Sequence, residues 1–356
     1  MRAGADTRAH DDPPGSATPG AEKVQNVPVT GATPSGSVLI CCYTLHRWDD
    51  VLAAVESALE QHPAPLEVIV VVDHNDELLS RLETVRTSSW ARQPVRVVPS
   101  SHRQGLSGAR NTGLALAKGE VLVFLDDDAR AQPGWLATHL AAYAEPRVLG
   151  VGGRLDPRWD TARPAWFPHD FDWVIGCTHS GVPVGAAPVR NAIGANMSFR
   201  TGLLREAGGF SEELGRIGTV PLGCEETEAS IRVGRLRPDG DVWYLPDAVV
   251  QHRVTAARAT WDYFSRRCVA EGRSKATVRA LSAEPLATER DYATRVLPRS
   301  AARAVWSGLR GDPAGLRRAG AIGAGLGLTA YGFLTGLVRD GASRRRLADL
   351  AGQGSR

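Results

Sequence analysis

Along the first third of the chain, short uninterrupted apolar runs alternate with segments whose apolar residues recur every three or four positions. Val38-Leu39-Ile40-Cys41-Cys42-Tyr43 is apolar throughout, as expected for a strand covered on both faces. Asp49 to Glu60 carries Val51, Leu52, Val55 and Leu59 at helical spacing, and Pro63 and Pro65 stop that helix. Val68-Ile69-Val70-Val71-Val72 predicts a second strand, Asp76 to Arg86 a second helix, and Val95-Arg96-Val97-Val98 a third strand. Ser107 to Ala117 predicts a third helix ended by Lys118-Gly119, and Val121-Leu122-Val123-Phe124-Leu125 a fourth strand. This β-α order implies right-handed crossovers and a parallel sheet whose ligand crevice lies beyond the carboxyl ends of its strands. Thr44 to Arg47, Asp73-His74-Asn75 and Asp126-Asp127-Asp128 fall at those ends.

Composition narrows the class. With 356 residues, 43% of them hydrophobic, the chain can bury a large core and hold one big α/β domain with appendages. A net charge of +3 supplies no global basic field, so nucleic acid is not an expected partner. Cys41, Cys42, Cys177, Cys224 and Cys268 are odd in number and lack CxxC spacing, which fits reduced core thiols better than a disulfide scaffold. Residues 1–36 mix Asp, Pro, Gly, Ser, Thr and Ala without periodicity, and read as a disordered leader without the apolar centre of a secretory signal.

The acidic cluster carries the first chemistry. Three adjacent carboxylates after a buried strand repel one another, and a hard divalent cation on nucleotide phosphates is one natural way to neutralise them. A solvated acidic turn capping the next helix is the bland alternative. The block Gly105-Leu106-Ser107-Gly108-Ala109-Arg110-Asn111-Thr112-Gly113, then Gly119-Glu120 and the strand ending in Asp126-Asp127-Asp128, resembles family 2 glycosyltransferases with a GT-A fold. The likeness extends over roughly Ser37 to Arg273.

That resemblance implies an α/β, Rossmann-like, mostly parallel sheet with helices on both faces, and an inverting transfer from a nucleoside diphosphate sugar. Asp73 matches the family aspartate that bonds the nucleotide base, and Thr44 and Arg47 lie where the nucleotide also contacts the chain. Arg110 falls on the motif arginine near the donor, with Asn111 beside it. Asp126 and Asp128 match the outer positions of a D-x-D pattern: Asp128 as ligand to Mg²⁺ or Mn²⁺, Asp126 on the ribose or a metal-bound water, and Asp127, counted with the donor site, turned to the other side. Alone, Asp73 also reads as a turn residue and Arg110 as a surface helical arginine.

The second half is expected to build the acceptor side. Val148 to Gly153 predicts a strand, and the Trp/Pro-rich stretch from Pro157 to Trp173 offers Trp166 and Trp173 as rings to stack on sugar faces. A plain packed subdomain is equally consistent with it. Gly194-Ala195-Asn196-Met197-Ser198-Phe199-Arg200 resembles the family's strand at the active-site floor, followed by its Gly208-Gly209-Phe210 turn, and makes Asn196 an acceptor-side candidate. Gly223-Cys224-Glu225-Glu226-Thr227-Glu228 stands where relatives carry a Glu-Asp dipeptide. Glu226 replaces the aspartate and keeps its carboxylate, so it is the expected base that takes the acceptor proton, with Glu225 orienting a loop or the acceptor. Helix-dipole preference for acids in a first turn explains the same residues without catalysis. His252, after Ala248-Val249-Val250, matches a family histidine near the metal or diphosphate, and Arg253, Arg266 and Arg267 could add positive charge there. No Gln-x-x-Arg-Trp pattern is present, so transfer of one sugar per encounter is expected rather than polymerisation.

The carboxyl-terminal region raises membrane contact. Residues 319–338 are uncharged and about long enough to span a bilayer, yet contain Gly320, Gly323, Gly325, Gly327, Gly332 and Gly336. Gly323/Gly327 and Gly332/Gly336 have spacing suited to close helix contact, and basic residues flank the stretch on both sides. Spanning, interfacial and packed helices all fit. The expected organisation is therefore a leader (1–36), a transferase domain (37–275, its nucleotide-sugar half 37–130 and acceptor half 131–275), a helical region (276–340) and a basic tail (341–356). A lipid-linked acceptor such as a polyprenyl phosphate or glycolipid, reached from the cytoplasmic face of a membrane, suits this arrangement. A nucleotidyltransferase is disfavoured because Tyr43-Thr44-Leu45-His46-Arg47 is no phosphate loop, and a non-catalytic sugar-binding scaffold of the same fold remains the alternative from another class.

Overall fold

The computed structural model describes residues 33–213, 224–282 and 290–353. The expected leader lies outside them except for its end, where Gly36 already opens the first strand; Gly223 lies outside as well.

The predicted alternation is present. Strands β1 (Gly36–Cys42), β2 (Glu67–Val72), β3 (Val95–Pro99) and β4 (Val121–Leu125) are separated by α1 (Trp48–Leu59), α2 (Asp76–Thr87) and α3 (Leu106–Leu116). They lie in the order β3-β2-β1-β4, all parallel. Alternate residues feed opposite layers, as a pleated strand requires: Val38, Ile40, Val68 and Val70 pack with α1 and α2 on one face, while Leu39, Ile69, Leu122 and Phe124 pack with α3 on the other. Because the chain leaves β1 towards β2 and returns beyond it as β4, the strand order reverses between β1 and β4. The crevice at that reversal opens at the carboxyl ends that carry Thr44 to Arg47 and Asp126 to Asp128.

Beyond β4 the sheet is mixed rather than mostly parallel. After β5 (Ala129–Ala131) and α4 (Trp135–Ala142) come β6 (Val148–Trp159), β7 (Ala187–Val189), β8 (Asn196–Arg200) and β9 (Asp241–Val254). β8 enters antiparallel to both β4 and β6, β6 runs parallel to β9, and β5 and β7 pair antiparallel with β9. β6 continues past the predicted Gly153 because a register shift between Gly153 and Arg154 lets it follow β9 onwards. Beyond Gly152 it has no β8 partner, so Pro157 costs no ladder bond there.

Helices α5 (Thr201–Glu206) and α6 (Glu225–Leu236) cover the α3 side, and α7 (Trp261–Ser282), α8 (Leu297–Leu309) and α9 (Gly315–Gln353) form a separate layer. The Trp/Pro-rich stretch packs on that layer. Trp166 meets Trp261 and Phe264 edge to face, with ring centroids 5.2 and 5.6 Å apart, and Trp173 lies against Phe171 at 5.5 Å. The stretch is packed as a subdomain, and Trp166 and Trp173 each keep an exposed portion. Of the two glycine pairs spaced for close contact on α9, Gly332/Gly336 makes it, whereas Gly323 and Gly327 face open space. Gly325, Gly332 and Gly336 make the close approach, to Phe171 and Phe264, to the Val269 backbone and to Ala276.

Asn196, an acceptor-side candidate by sequence, is fully buried at the start of β8. Its Oδ1 accepts from Trp135 Nε1 at 2.8 Å and lies 3.0 Å from His139 Nε2, while its Nδ2 donates to the carbonyls of Arg154 and Ala248, both at 2.9 Å. One amide thus joins α4, β6, β8 and β9, with no capacity left for a ligand. Asn196→Ala leaves these buried groups unsatisfied and is expected to lower unfolding free energy by roughly 2–4 kcal/mol, read from the urea midpoint. An unchanged midpoint with a raised acceptor KM would reverse that assignment.

Candidate active site

The β1–α1 and β4–β5 connections meet over the crevice. Thr44 caps the turn Leu45–Arg47, accepting from the His46 amide at 3.3 Å, and that turn aims Arg47 across the strand ends. Arg47 Nη1 bonds Asp127 Oδ1 at 2.5 Å and Nη2 lies 3.2 Å from Asp128 Oδ2. Asp127 and Asp128 are both buried. Burial pushes Asp127 up to about 7 against the pull of Arg47, because Asp128 and Asp126 sit beside it. Burial works on Asp128 as well, but His252, Arg258 and Arg47 outweigh it and hold this carboxyl well below the usual carboxylate range.

Pairing of β5 with β9 sets Ala129 opposite His252, which brings the imidazole to the acidic turn. His252 Nε2 lies 3.2 Å from Asp128 Oδ1, and Cys177 Sγ lies 3.8 Å from His252 Nδ1. Asp126, Asp128 and His252 each offer one ligand atom, all within 4.8 Å of one another. Asp128 Oδ1 is buried, and its only close contact, the His252 ring at 3.2 Å, lacks hydrogen-bond geometry, which leaves an anionic oxygen in an expensive state. Two carboxylates, one of them with that unbonded oxygen, and one imidazole fit a divalent cation.

A residue absent from the sequence reading also reaches this turn. Arg258, in the short helical turn Ala256–Ala259 after β9, donates from Nη2 to Asp128 Oδ2 at 3.1 Å. Nothing in its surroundings, Ala-Ala-Arg-Ala, marks it out; only the return of β9 to β5 brings it here. Arg253, expected near the leaving group, is instead bound to Asp50 at 2.6 Å and Asp160 at 2.8 Å. Arg266 is exposed and paired with Asp262, and Arg267 is buried 3.7 Å from Glu271.

Across the crevice stands Arg110, buried on α3 between the rings of Phe124 and Phe210. Its Nη1 donates to Glu225 Oε1 at 2.8 Å, Nη2 donates to the Gly194 carbonyl at 3.0 Å, and Nη2 lies 3.7 Å from Asp126 Oδ1. The surface-arginine alternative therefore does not describe it. Asn111, next along the helix, exchanges two bonds of 2.8 Å with the backbone of Phe210 and so anchors the Gly-Gly-Phe turn. Asp73 accepts from the Gly105 amide at 2.9 Å and lies 2.8 Å from His74 Nδ1, so it also holds the loop that opens α3.

The first turn of α6 supplies the opposing carboxylates. Glu225 is buried, one oxygen on Arg110 and the other without a partner. Glu226 is half-buried, its Oε1 3.4 Å from the Thr227 hydroxyl. Burial, followed by the charge of Glu225, pushes it up to about 8, with Arg110 pulling down and Glu271 of α7 pushing up. Glu228 is taken by Arg232 at 2.6 Å. The structure thus joins Arg47, Asp127, Asp128, His252 and Arg258 in one set of contacts and Asp126, Arg110 and Glu225 in another, with Glu226 next to Glu225 and Asp73 on the loop that opens α3, and leaves Trp166, Trp173 and Asn196 in packed surroundings.

The family model for glycosyl transferase family 2 matches residues 37–208. A glucosyl-dolichyl phosphate glucuronosyltransferase of Haloferax volcanii is 32% identical over 240 residues, which cover 67% of this chain and 75% of the relative. A polypeptide N-acetylgalactosaminyltransferase 3 of Taeniopygia guttata is 28% identical over 241 residues, 62% of this chain but only 38% of that protein. Among solved structures, a mannosyltransferase from Pyrobaculum calidifontis in complex with GDP-Man and Mn²⁺ superposes with a TM-score of 0.57 at 19% identity, covering 86% of this chain and 88% of that one, a likeness of fold. With its four-strand parallel half, its acidic turn at the strand reversal and these relatives, the chain belongs to glycosyl transferase family 2 and is a glycosyltransferase.

Proposed function

We propose that the chain moves one sugar, with inversion, from a nucleoside diphosphate sugar to a hydroxyl or phosphate of a lipid-linked acceptor at the cytoplasmic face of a membrane. The observation that carries this reading is the bridge from Asp126 through Arg110 to Glu225, which brings the candidate cation site and the α6 carboxylates to one crevice. The archaeal relative's name, a transferase acting with glucosyl-dolichyl phosphate, supports the acceptor class.

Asp126, Asp128 and His252 would hold the cation, Mg²⁺ or Mn²⁺, which supplies positive charge for the departing nucleoside diphosphate. Arg47 and Arg258 fix Asp128 in its ionised form and add positive charge beside it. Asp73 and Thr44 face the nucleotide end of the crevice. Glu225, held by Arg110, keeps the first turn of α6 in place, and its negative charge raises the proton affinity of Glu226. Glu226 then takes the proton from the acceptor oxygen as that oxygen attacks the anomeric carbon, and the diphosphate leaves with the bonding pair.

A base must be deprotonated to act, so the turnover rate should rise with pH and level off above about 8. The check is a rate profile with saturating donor, and a rate that instead falls across this window would exclude Glu226 as the base. Glu226→Gln is expected to lose about 10²–10⁴-fold in kcat while donor affinity is kept. For the cation, chelation should abolish transfer from UDP-, GDP- or TDP-sugars and Mn²⁺ should restore it in the wild type but not in Asp128→Ala. Full activity of Asp128→Ala in chelator would remove the acidic turn from the mechanism.

A further inference from the structure

Helix α9 is long and apolar enough, from Gly315 to Val338, to cross a bilayer, yet one of its faces is committed elsewhere. A Cβ on Gly332 would lie 2.1 Å from the Val269 carbonyl oxygen, one on Gly336 would lie 2.7 Å from the Ala276 Cβ, and one on Gly272 would lie 2.1 Å from the Thr329 carbonyl. Gly325 lets α9 close on Phe171 and Phe264 of the aromatic layer. Backbone-to-backbone packing of this kind runs along α7, which carries Arg266, Glu271, Arg273, Lys275 and Arg279. To span, α9 would have to drag those charges into hydrocarbon or peel away and expose the aromatic cluster.

The opposite face has no partner among the described residues. Leu316, Leu326, Tyr331, Leu334 and Val338 recur at helical spacing and are exposed, Leu334 by 62% and Val338 by 73%. Gly320, Gly323 and Gly327 lie between them with nothing close by. On α8, Val305, Trp306 and Leu309 are exposed at the end that turns into α9, where Gly308 and Gly315 let the two helices touch. The charge along these two helices and their link is mainly positive. Between Leu297 and Val338 stand Arg299, Arg303, Arg310, Arg317 and Arg318, against Asp312 alone, which Arg318 already engages. Arg310 lies 4.5 Å above the ring centre of Trp306. A half-exposed Trp and Tyr, an apolar stripe without acids and a border of arginines together match an anionic lipid surface. A second copy of the chain would bring the same arginines against one another.

We propose that α8 and α9 seat the enzyme in the plane of an anionic bilayer, the exposed stripe in the interface and the glycine face locked on α7, so that the apolar helix lies on the membrane rather than crossing it. This deepens the lipid-linked reading above and rests on it for its purpose, since seating presents the crevice to acceptors held in the bilayer. It does not depend on that reading for its physics.

The test is flotation of the full-length protein with vesicles of phosphatidylcholine alone or mixed with phosphatidylglycerol. The proposal expects at least about tenfold more protein on the anionic vesicles, lost at high salt, and release from cell membranes by an alkaline carbonate wash. Leu334→Glu and Trp306→Glu, both at exposed positions, should abolish flotation without moving the thermal midpoint. Retention through the carbonate wash would mean a spanning helix and overturn the proposal, as would flotation unaffected by both variants. A dimer that Leu334→Glu dissolves, with no vesicle binding, would assign the surface to a second copy instead. Sugar release from the donor, measured without vesicles, separates the two readings. If it persists while flotation fails, the seating is wrong; if it is absent while flotation succeeds, the transferase mechanism is wrong and the seating stands.

Discussion

A single buried guanidinium holds the two halves of this enzyme to a common centre. Arg110 is 2% exposed, yet it bonds Glu225 on one side and lies within 3.7 Å of Asp126 on the other. Charge this deep is tolerated only because every direction it faces is negative, carbonyl or aromatic. Removing Arg110 would leave Glu225 as an unpaired buried anion and free the first turn of α6 from β4. The crevice is therefore a consequence of electrostatic necessity as much as of sheet topology: the carboxylates that chemistry needs repel one another, and Arg47, Arg110 and Arg258 are placed to hold them together.

That arrangement divides the carboxylates by environment. Asp128, surrounded by His252, Arg258 and Arg47, is held below the usual carboxylate range, whereas burial and then the neighbouring charge of Glu225 push Glu226 above it. Sites that separate paired acids in this way are suited to one group holding a cation and another moving a proton.

The parallel half was legible in the sequence because its signals are local. Val68 to Val72 is apolar on both faces, Asn75 caps α2 by accepting from the Leu78 amide, and each predicted element ends within a few residues of the observed one. Its chemistry was legible for the same reason, since Asp126 and Asp128 lie in one short motif. The second half depends on contacts that sequence spacing does not record. β6 outruns Gly153 because a register shift lets it stay with β9; Arg258 reaches Asp128 only through the pairing of β5 and β9; Trp166 faces Trp261, almost a hundred positions away. Asn196 looked like a site residue because its motif sits at the active-site floor, and its amide is instead consumed in joining four elements.

The most direct test of the central claim is a crystal of the enzyme with Mn²⁺ and a non-hydrolysable nucleoside diphosphate sugar, with the metal located by its anomalous scattering. The account predicts one peak held by Asp126, Asp128 and His252 on the diphosphate oxygens, with the anomeric carbon facing Glu226 across the crevice. A metal bound elsewhere, or a sugar directed away from Glu226, would contradict it.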